Sequence, residues 1–177
     1  MIGSKKKKIG VFGGSFDPPH QGHLKISKIA INKLSLDELY WCVTKKNPFK
    51  NKTFFSLTQR IKKSKLLAAR VIKIKIKNLE NKIKSNSTID LIKYLTQKNK
   101  KNEFYLIMGS DNLISLHRWK NWKLLTKLAK IVVFSRKDYD IKAKKSATIK
   151  KMKKITFIKN KQINISSSQI RKKLSKL

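Results

Sequence analysis

Ile9-Gly10-Val11-Phe12-Gly13-Gly14-Ser15-Phe16-Asp17-Pro18-Pro19-His20-Gln21-Gly22-His23 is the stretch from which the rest of the chain can be read. Ile9 to Phe12 is a short apolar strand, and a glycine turn follows at once. From Gly22 to Lys33 the spacing of Leu24, Ile26, Ile29, Ala30 and Ile31 predicts a helix with a broad apolar side. A strand that runs through glycines into a helix places its turn at the carboxyl edge of an open α/β sheet, where ligands bind. The glycines let backbone N–H groups come close to a phosphate, and the helix start favours an anion. His20 and His23 are three apart and share one side of that start. The turn is not a Walker loop, since no Gly-x-x-x-x-Gly-Lys-Ser/Thr is present. It is not the Gly-x-Gly-x-x-Gly dinucleotide fingerprint either. Two histidines without a third ligand give no reason to expect a protein-held metal.

Composition sets this stretch apart. The chain carries 45 basic and nine acidic residues, a net charge of +36. Only Arg60, Arg70, Arg118, Arg136 and Arg171 are arginines. Arginine is the better residue for bidentate reading of phosphates and base edges. The lysines are spread along the chain, so most of the charge reads as solvated surface that attracts anions and holds nucleic acid loosely at low salt. No specific nucleic-acid partner is expected. A drift toward lysine thins out Gly, Pro and His wherever they are dispensable. Of six Gly, three Pro and three His, four, two and two respectively fall between Gly10 and His23. Chemistry holds them there.

Outward from this stretch, strands and helices alternate. Strands are expected at Leu39–Val43, Val71–Ile76, Phe104–Met108, Ile131–Phe134 and Ile155–Ile158. Helices are expected at Ser56–Ala69, Ser87–Gln97, Trp119–Leu128 and Ser166–Lys176. The alternation of Val and Ile with Lys from Val71 onward marks an edge strand. The fold class that follows is α/β: a Rossmann-like, doubly wound parallel sheet in a single domain, residues 9–177, behind a basic tail of residues 1–8. At 177 residues the chain is long enough to bury a core. Cys42, between Trp41 and Val43, reads as a buried strand thiol, and Trp41 reads as core. His117 reads as a surface loop residue. No apolar run approaches the roughly 20 residues needed to span a bilayer, and the Lys5–Lys8 run has no signal-peptide core behind it. No membrane is expected, and a cytoplasmic location is.

Four segments together carry a resemblance. Gly-Ser-Phe-Asp-Pro-Pro-His-Gln-Gly-His resembles the signature of the nucleotidylyltransferase superfamily, whose core is His-x-Gly-His. The longer form with Gly13 and Gly14 is similar to that of bacterial nicotinate-mononucleotide adenylyltransferases. Thr88-Ile89-Asp90 resembles that family's Thr-x-Asp. Gly109-Ser110-Asp111-Asn112-Leu113, followed by Trp119 and Trp122, resembles its Gly-Ala-Asp-x-Leu…Trp-x-x-Trp. Ile165-Ser166-Ser167-Ser168-Gln169-Ile170-Arg171 resembles its closing Ile-Ser-Ser-Thr-x-Ile-Arg, with Ser168 where Thr is usual. One segment departs: Asn47-Pro48-Phe49-Lys50 has Phe49 where the family often has histidine, so no role of that histidine passes to this chain.

The resemblance implies transfer of the adenylyl group of ATP to nicotinate mononucleotide, giving deamido-NAD and pyrophosphate. It implies His20, His23 and Arg171 as catalytic residues, with His20 nearest the reacting phosphorus. Gly13, Gly14, Ser15, Phe16, Gly109, Asp111, Ser167 and Ser168 would join them around ATP, and Lys50, Thr88, Trp119 and Arg136 would meet the mononucleotide. Mg²⁺ would arrive with ATP, held by phosphate oxygens and water. Taken as residues alone, Asp111 fits either a helix cap or an acceptor for ribose hydroxyls, and Trp119 either core or a stacking face. Arg136 reaches either a phosphate or solvent. A pantetheine-phosphate adenylyltransferase or a cytidylyltransferase is the neighbouring alternative, and a basic RNA-binding module the distant one. Whether the chain is a monomer or a homo-oligomer is open at this level.

Overall fold

The computed structural model describes residues 5–45, 53–136, 138–152, 155–160 and 165–176. The chain runs β1 (Lys8–Gly14), α1 (Gln21–Lys33), β2 (Glu38–Val43), α2 (Leu57–Ala68), β3 (Ile74–Lys77), α3 (Glu80–Ile83), α4 (Thr88–Lys98) and β4 (Glu103–Gly109). It continues through α5 (Ser110–Ser115), a 3-10 turn at Leu116–Arg118, α6 (Trp122–Leu128), β5 (Lys130–Phe134), α7 (Asp140–Lys144), α8 (Ala147–Lys151), β6 (Thr156–Ile158) and α9 (Ser167–Leu174). The strands form a six-stranded parallel sheet in the order β3-β2-β1-β4-β5-β6. The order reverses between β1 and β4, and the crevice at their carboxyl ends is where such a sheet takes a ligand.

Two faces of apolar side chains explain why the sheet is parallel and sandwiched. Along β4, Phe104, Leu106 and Met108 join one buried cluster, while Tyr105 and Ile107 join the other. Along β5, Ile131 and Val133 face one way, Val132 and Phe134 the other. This two-sided burial is what near-continuous apolar strands require. Helix α4 covers the first face with Ile89, Ile92 and Leu95; α1 and α2 cover the second with Ala30, Ile31 and Ala68. Gly10 leaves room for Leu36: a Cβ there would lie 2.7 Å from Leu36 Cδ1.

Most expected elements are present, and two shift. The Val71–Ile76 strand begins at Ile74, because Val71 N–H and Ile74 N–H close turns onto Ala68 and Val71 carbonyls. The Trp119–Leu128 helix begins at Trp122: Asn121 sits at φ 48°, a left-handed residue that no α-helix passes through, and Trp119 is extended. Trp41 and Cys42 are buried core, as expected, and burial pushes the Cys42 thiol up to about 12. His117 is exposed. Among the described residues, no helix is long and apolar enough to cross a membrane.

The scarce carboxylates are placed with economy. Among the described residues, eight of the nine, all but Asp138, accept a hydrogen bond from a backbone N–H, a hydroxyl or a neighbouring cation.

The buried indole of Trp41 donates to Ser27 Oγ at 2.7 Å, and Ser27 Oγ donates to the His23 carbonyl at 2.8 Å. Ser27→Ala strands that indole N–H, so a loss of about 1–3 kcal/mol is expected in urea unfolding. An unchanged midpoint would show that the indole draws nothing from Ser27.

Candidate active site

The turn between β1 and α1 is held from outside by its carbonyls. Gly14 O accepts from Thr44 N–H at 2.9 Å. Ser15 O accepts from Arg60 Nη1 at 2.6 Å, Asp17 O from Arg171 Nη1 at 2.6 Å, and Pro18 O from Ser167 Oγ at 2.9 Å. The Asp17 carboxylate accepts from the N–H groups of Phe54 and Phe55 at 2.8 and 2.9 Å. Phe16 sits at φ 47°, fully buried, its ring stacked on Trp41 with centroids 4.9 Å apart. The start of α9 therefore lies directly on the turn that carries the two histidines, 149 residues away in sequence.

His20 and His23 form a capping box out of imidazoles. His20 is the N-cap of α1, and its Nδ1 accepts from Gly22 N–H at 3.1 Å. His23, at the third helical position, accepts from His20 N–H through its own Nδ1 at 3.2 Å. This is the reciprocal arrangement that Ser and Glu make at other helix starts. It has a chemical result. With both Nδ1 atoms accepting, a neutral ring carries its proton on Nε2, so each histidine keeps one N–H donor for a ligand. The ring centroids are 3.9 Å apart. Burial lowers His20 to about 4, with Arg136 adding to it. Burial, then His20 and Arg136, lower His23 to about 3.

Arg136, just past β5, pairs with Asp111 at 2.6 Å and lies close enough to both histidines to act on their charge. Asp111 follows Gly109 in the first turn of α5, and a Cβ at Gly109 would collide with its carboxylate. Arg171 Nη2 donates to Ser168 Oγ at 3.0 Å. The turn glycines, His20, His23, Asp111, Arg136, Ser167, Ser168 and Arg171 thus gather at one end of the β1–β4 crevice.

Beside it opens a cavity of about 430 Å³, lined by Gly13, Gly14, Thr88, Ile89, Met108 and Trp119 among others. Thr88 opens α4. Asp90, two residues on, fixes that start by accepting from Ser85 and Ser87 hydroxyls at 2.8 and 2.6 Å and from Lys120 at 3.3 Å. Trp119 forms part of the cavity wall, and its indole N–H is buried without a partner among the described residues. Arg136, expected with the mononucleotide residues, does not line this cavity. Lys50, with Pro48 and Phe49, lies outside the described residues.

The sequence reading gave no role to Arg60 or Asp17. Asp17 was visible inside the motif. Arg60 had one signal: it is an arginine in a chain where lysine has taken nearly every other basic position.

A family model described as Cytidylyltransferase-like matches residues 11–173. A probable nicotinate-nucleotide adenylyltransferase of Pelagibacter ubique (strain HTCC1062) is 49% identical over 97% of this chain and 96% of its own length. One from Ruegeria sp. (strain TM1040) is 37% identical over 78% of this chain and 72% of its own. Among solved structures, Plasmodium falciparum nicotinic acid mononucleotide adenylyltransferase complexed with NaAD superposes with a TM-score of 0.76 at 26% identity, covering 94% of this chain and 83% of that one. The same protein complexed with APC gives 0.78 at 23% identity, a likeness of fold.

The lowered histidines carry a stability cost in acid. In the unfolded chain they protonate near 6.5, in the folded chain only near about 4 and about 3. Protonation therefore favours unfolding, and stability falls as pH drops from about 6.5 toward 3. Urea titrations between pH 7 and 4 should show this slope. A chain with both His20→Asn and His23→Asn should show a flatter one, and an equal slope would remove the histidines as its source.

Proposed function

We propose, for a chain that belongs to the cytidylyltransferase-like family and within it to the nicotinate-nucleotide adenylyltransferases, that it joins ATP and nicotinate mononucleotide into deamido-NAD and pyrophosphate. The observation that carries the reading is the contact of Ser167 and Arg171 with the carbonyls of Pro18 and Asp17. It brings the late serine–arginine turn and the early histidines to one place, as binding a single polyphosphate requires.

The reaction needs positioning more than proton transfer. An oxygen of the mononucleotide phosphate attacks the α-phosphorus of ATP. The bond from that phosphorus to the bridging oxygen breaks, and pyrophosphate leaves with the electron pair. The nucleophile is an anion near neutral pH, so no general base is called for. What the protein must supply is in-line placement of two anions and donors for the charge on the phosphates. The Nε2–H groups of His20 and His23 are such donors, neutral in the free enzyme and fixed in direction by their Nδ1 contacts. Arg171, with Ser167 and Ser168, faces the β- and γ-phosphates. Gly109 and Asp111 meet the adenosine, with Arg136 steadying Asp111.

The cavity takes the acceptor. The face of Trp119 offers stacking to a pyridine ring, and the Thr88 hydroxyl can donate to its carboxylate. Lys50 is assigned to the acceptor phosphate by family resemblance. Among the described residues no three His, Cys, Asp or Glu side chains converge on a cation position. Mg²⁺ would arrive with ATP, held by phosphate oxygens and water, and would offset phosphate charge. A cytoplasmic location suits both substrates.

His20→Ala should fold normally and lower kcat by about 10²–10³, the scale of one lost transition-state donor. Near-parental turnover would put the reacting phosphorus elsewhere. Nicotinate mononucleotide should exceed its amide in kcat/KM, since the chain's field and the Thr88 hydroxyl both favour a carboxylate. Equal values for the two would defeat that assignment.

A further inference from the structure

Arg60 is the one fully buried guanidinium among the described residues, at 1% exposure; its hydrogen bonds go to no carboxylate, although Asp17 and Glu80 lie near enough to favour its charge. It spends its donors on backbone carbonyls from three places. Nη1 reaches Ser15 at 2.6 Å and Thr44 at 2.7 Å, Nη2 reaches Lys45 at 2.9 Å, and Nε reaches Phe55 at 3.1 Å. Burying a charge this way is costly, and the cost is offset because an apolar side chain would leave these carbonyls without their donor. A planar fork of five N–H groups is the side chain that can hold four carbonyls at once; lysine offers three donors at a single point.

The carbonyl it holds at Ser15 has a consequence across the peptide plane. In a trans peptide the C=O of one residue and the N–H of the next point in opposite directions. With Ser15 O drawn toward Arg60, Phe16 N–H is turned away from it. One peptide earlier, Gly14 O is taken by Thr44 N–H, so Ser15 N–H is turned away likewise. Neither N–H has a partner among the described residues, and the left-handed Phe16 is the conformation that lets successive N–H groups share one side. The Thr44–Lys45 peptide shows the same rule completed: Arg60 takes its carbonyl, and Glu80 takes its N–H at 2.7 Å.

We propose that Arg60 is a positioning residue for adenylyl transfer: by holding the Ser15 carbonyl it aims the Phe16 N–H at a nonbridging oxygen of the α-phosphate. The inference rests on the activity assigned above. Arg60 touches neither substrate and acts through the peptide it orients.

ATP bearing sulfur in place of one or the other nonbridging α-oxygen tests this, because sulfur is a poor acceptor. In the parent enzyme one of the two diastereomers should be slower than the other by about tenfold or more, the cost of weakening one preorganised donor. In Arg60→Lys that ratio should shrink by about fivefold. Partial misfolding scales both rates together and leaves the ratio where it was, so a structural role alone would not move it. A ratio within about twofold of the parent's overturns the proposal. Should Arg60→Lys yield no folded protein, the Phe16 amide of the ¹⁵N-labelled parent gives the answer. It should move downfield when a nonhydrolysable ATP analogue binds, and an unmoved amide overturns the proposal. A parent that transfers nothing from ATP to nicotinate mononucleotide defeats the activity and this inference together. An active parent with an unmoved ratio defeats the inference alone.

Discussion

Fixing a carbonyl fixes the direction of the N–H across its peptide plane, and the turn from Gly14 to Pro18 is built around that constraint. Its carbonyls are taken from the residue just past β2, from α2 and from α9, three separate parts of the fold. The donors are a backbone N–H, two arginines and a serine hydroxyl. Each is anchored in an element whose packing it does not control. The sheet order places these elements around the reversal between β1 and β4, so the turn is pinned by the architecture as a whole. This is why a site of so few residues draws on nearly the full length of the chain.

The histidines obey a related economy. Their Nδ1 atoms do the work of helix caps, which leaves Nε2 as the remaining donor on each neutral ring and fixes the direction in which it points. Keeping them uncharged in the empty enzyme costs nothing at neutral pH and avoids a third and fourth positive charge beside Arg136 and Arg171. A polyphosphate entering the site reverses the local field, and the same burial that lowers the free histidines then strengthens their donation to it. Electrostatics and geometry therefore come from one short stretch of helix start.

The strand–turn–helix at Ile9–His23 and the two-sided strands were legible because periodicity and glycine placement are local signals. The motifs that carry the proposed phosphate residues stood out in the same way, since they hold chemistry that lysine cannot imitate. The contacts of Ser167 and Arg171 with Pro18 and Asp17 were expected as a meeting of segments, but their atoms were not, because a long-range contact leaves no pattern at either end. Arg60 was missed for the same reason: nothing around it in α2 shows that four carbonyls await it. The late start of α6 turned on one residue, Asn121, whose left-handed backbone is invisible in a window that otherwise favours helix.

The carboxylates lead to a last consequence. With nine carboxylates against 45 basic residues, and most of the nine holding a backbone, a hydroxyl or one neighbouring cation, the lysines project almost unopposed. Diffusional capture of both nucleotides is then governed by the surrounding electrolyte: at a screening length of about 10 Å in 0.1 M salt the outermost charges stop guiding anything. The turnover step, sealed among fixed dipoles, is indifferent to that. In dilute buffer the enzyme should be limited by its chemistry, and in brine by arrival.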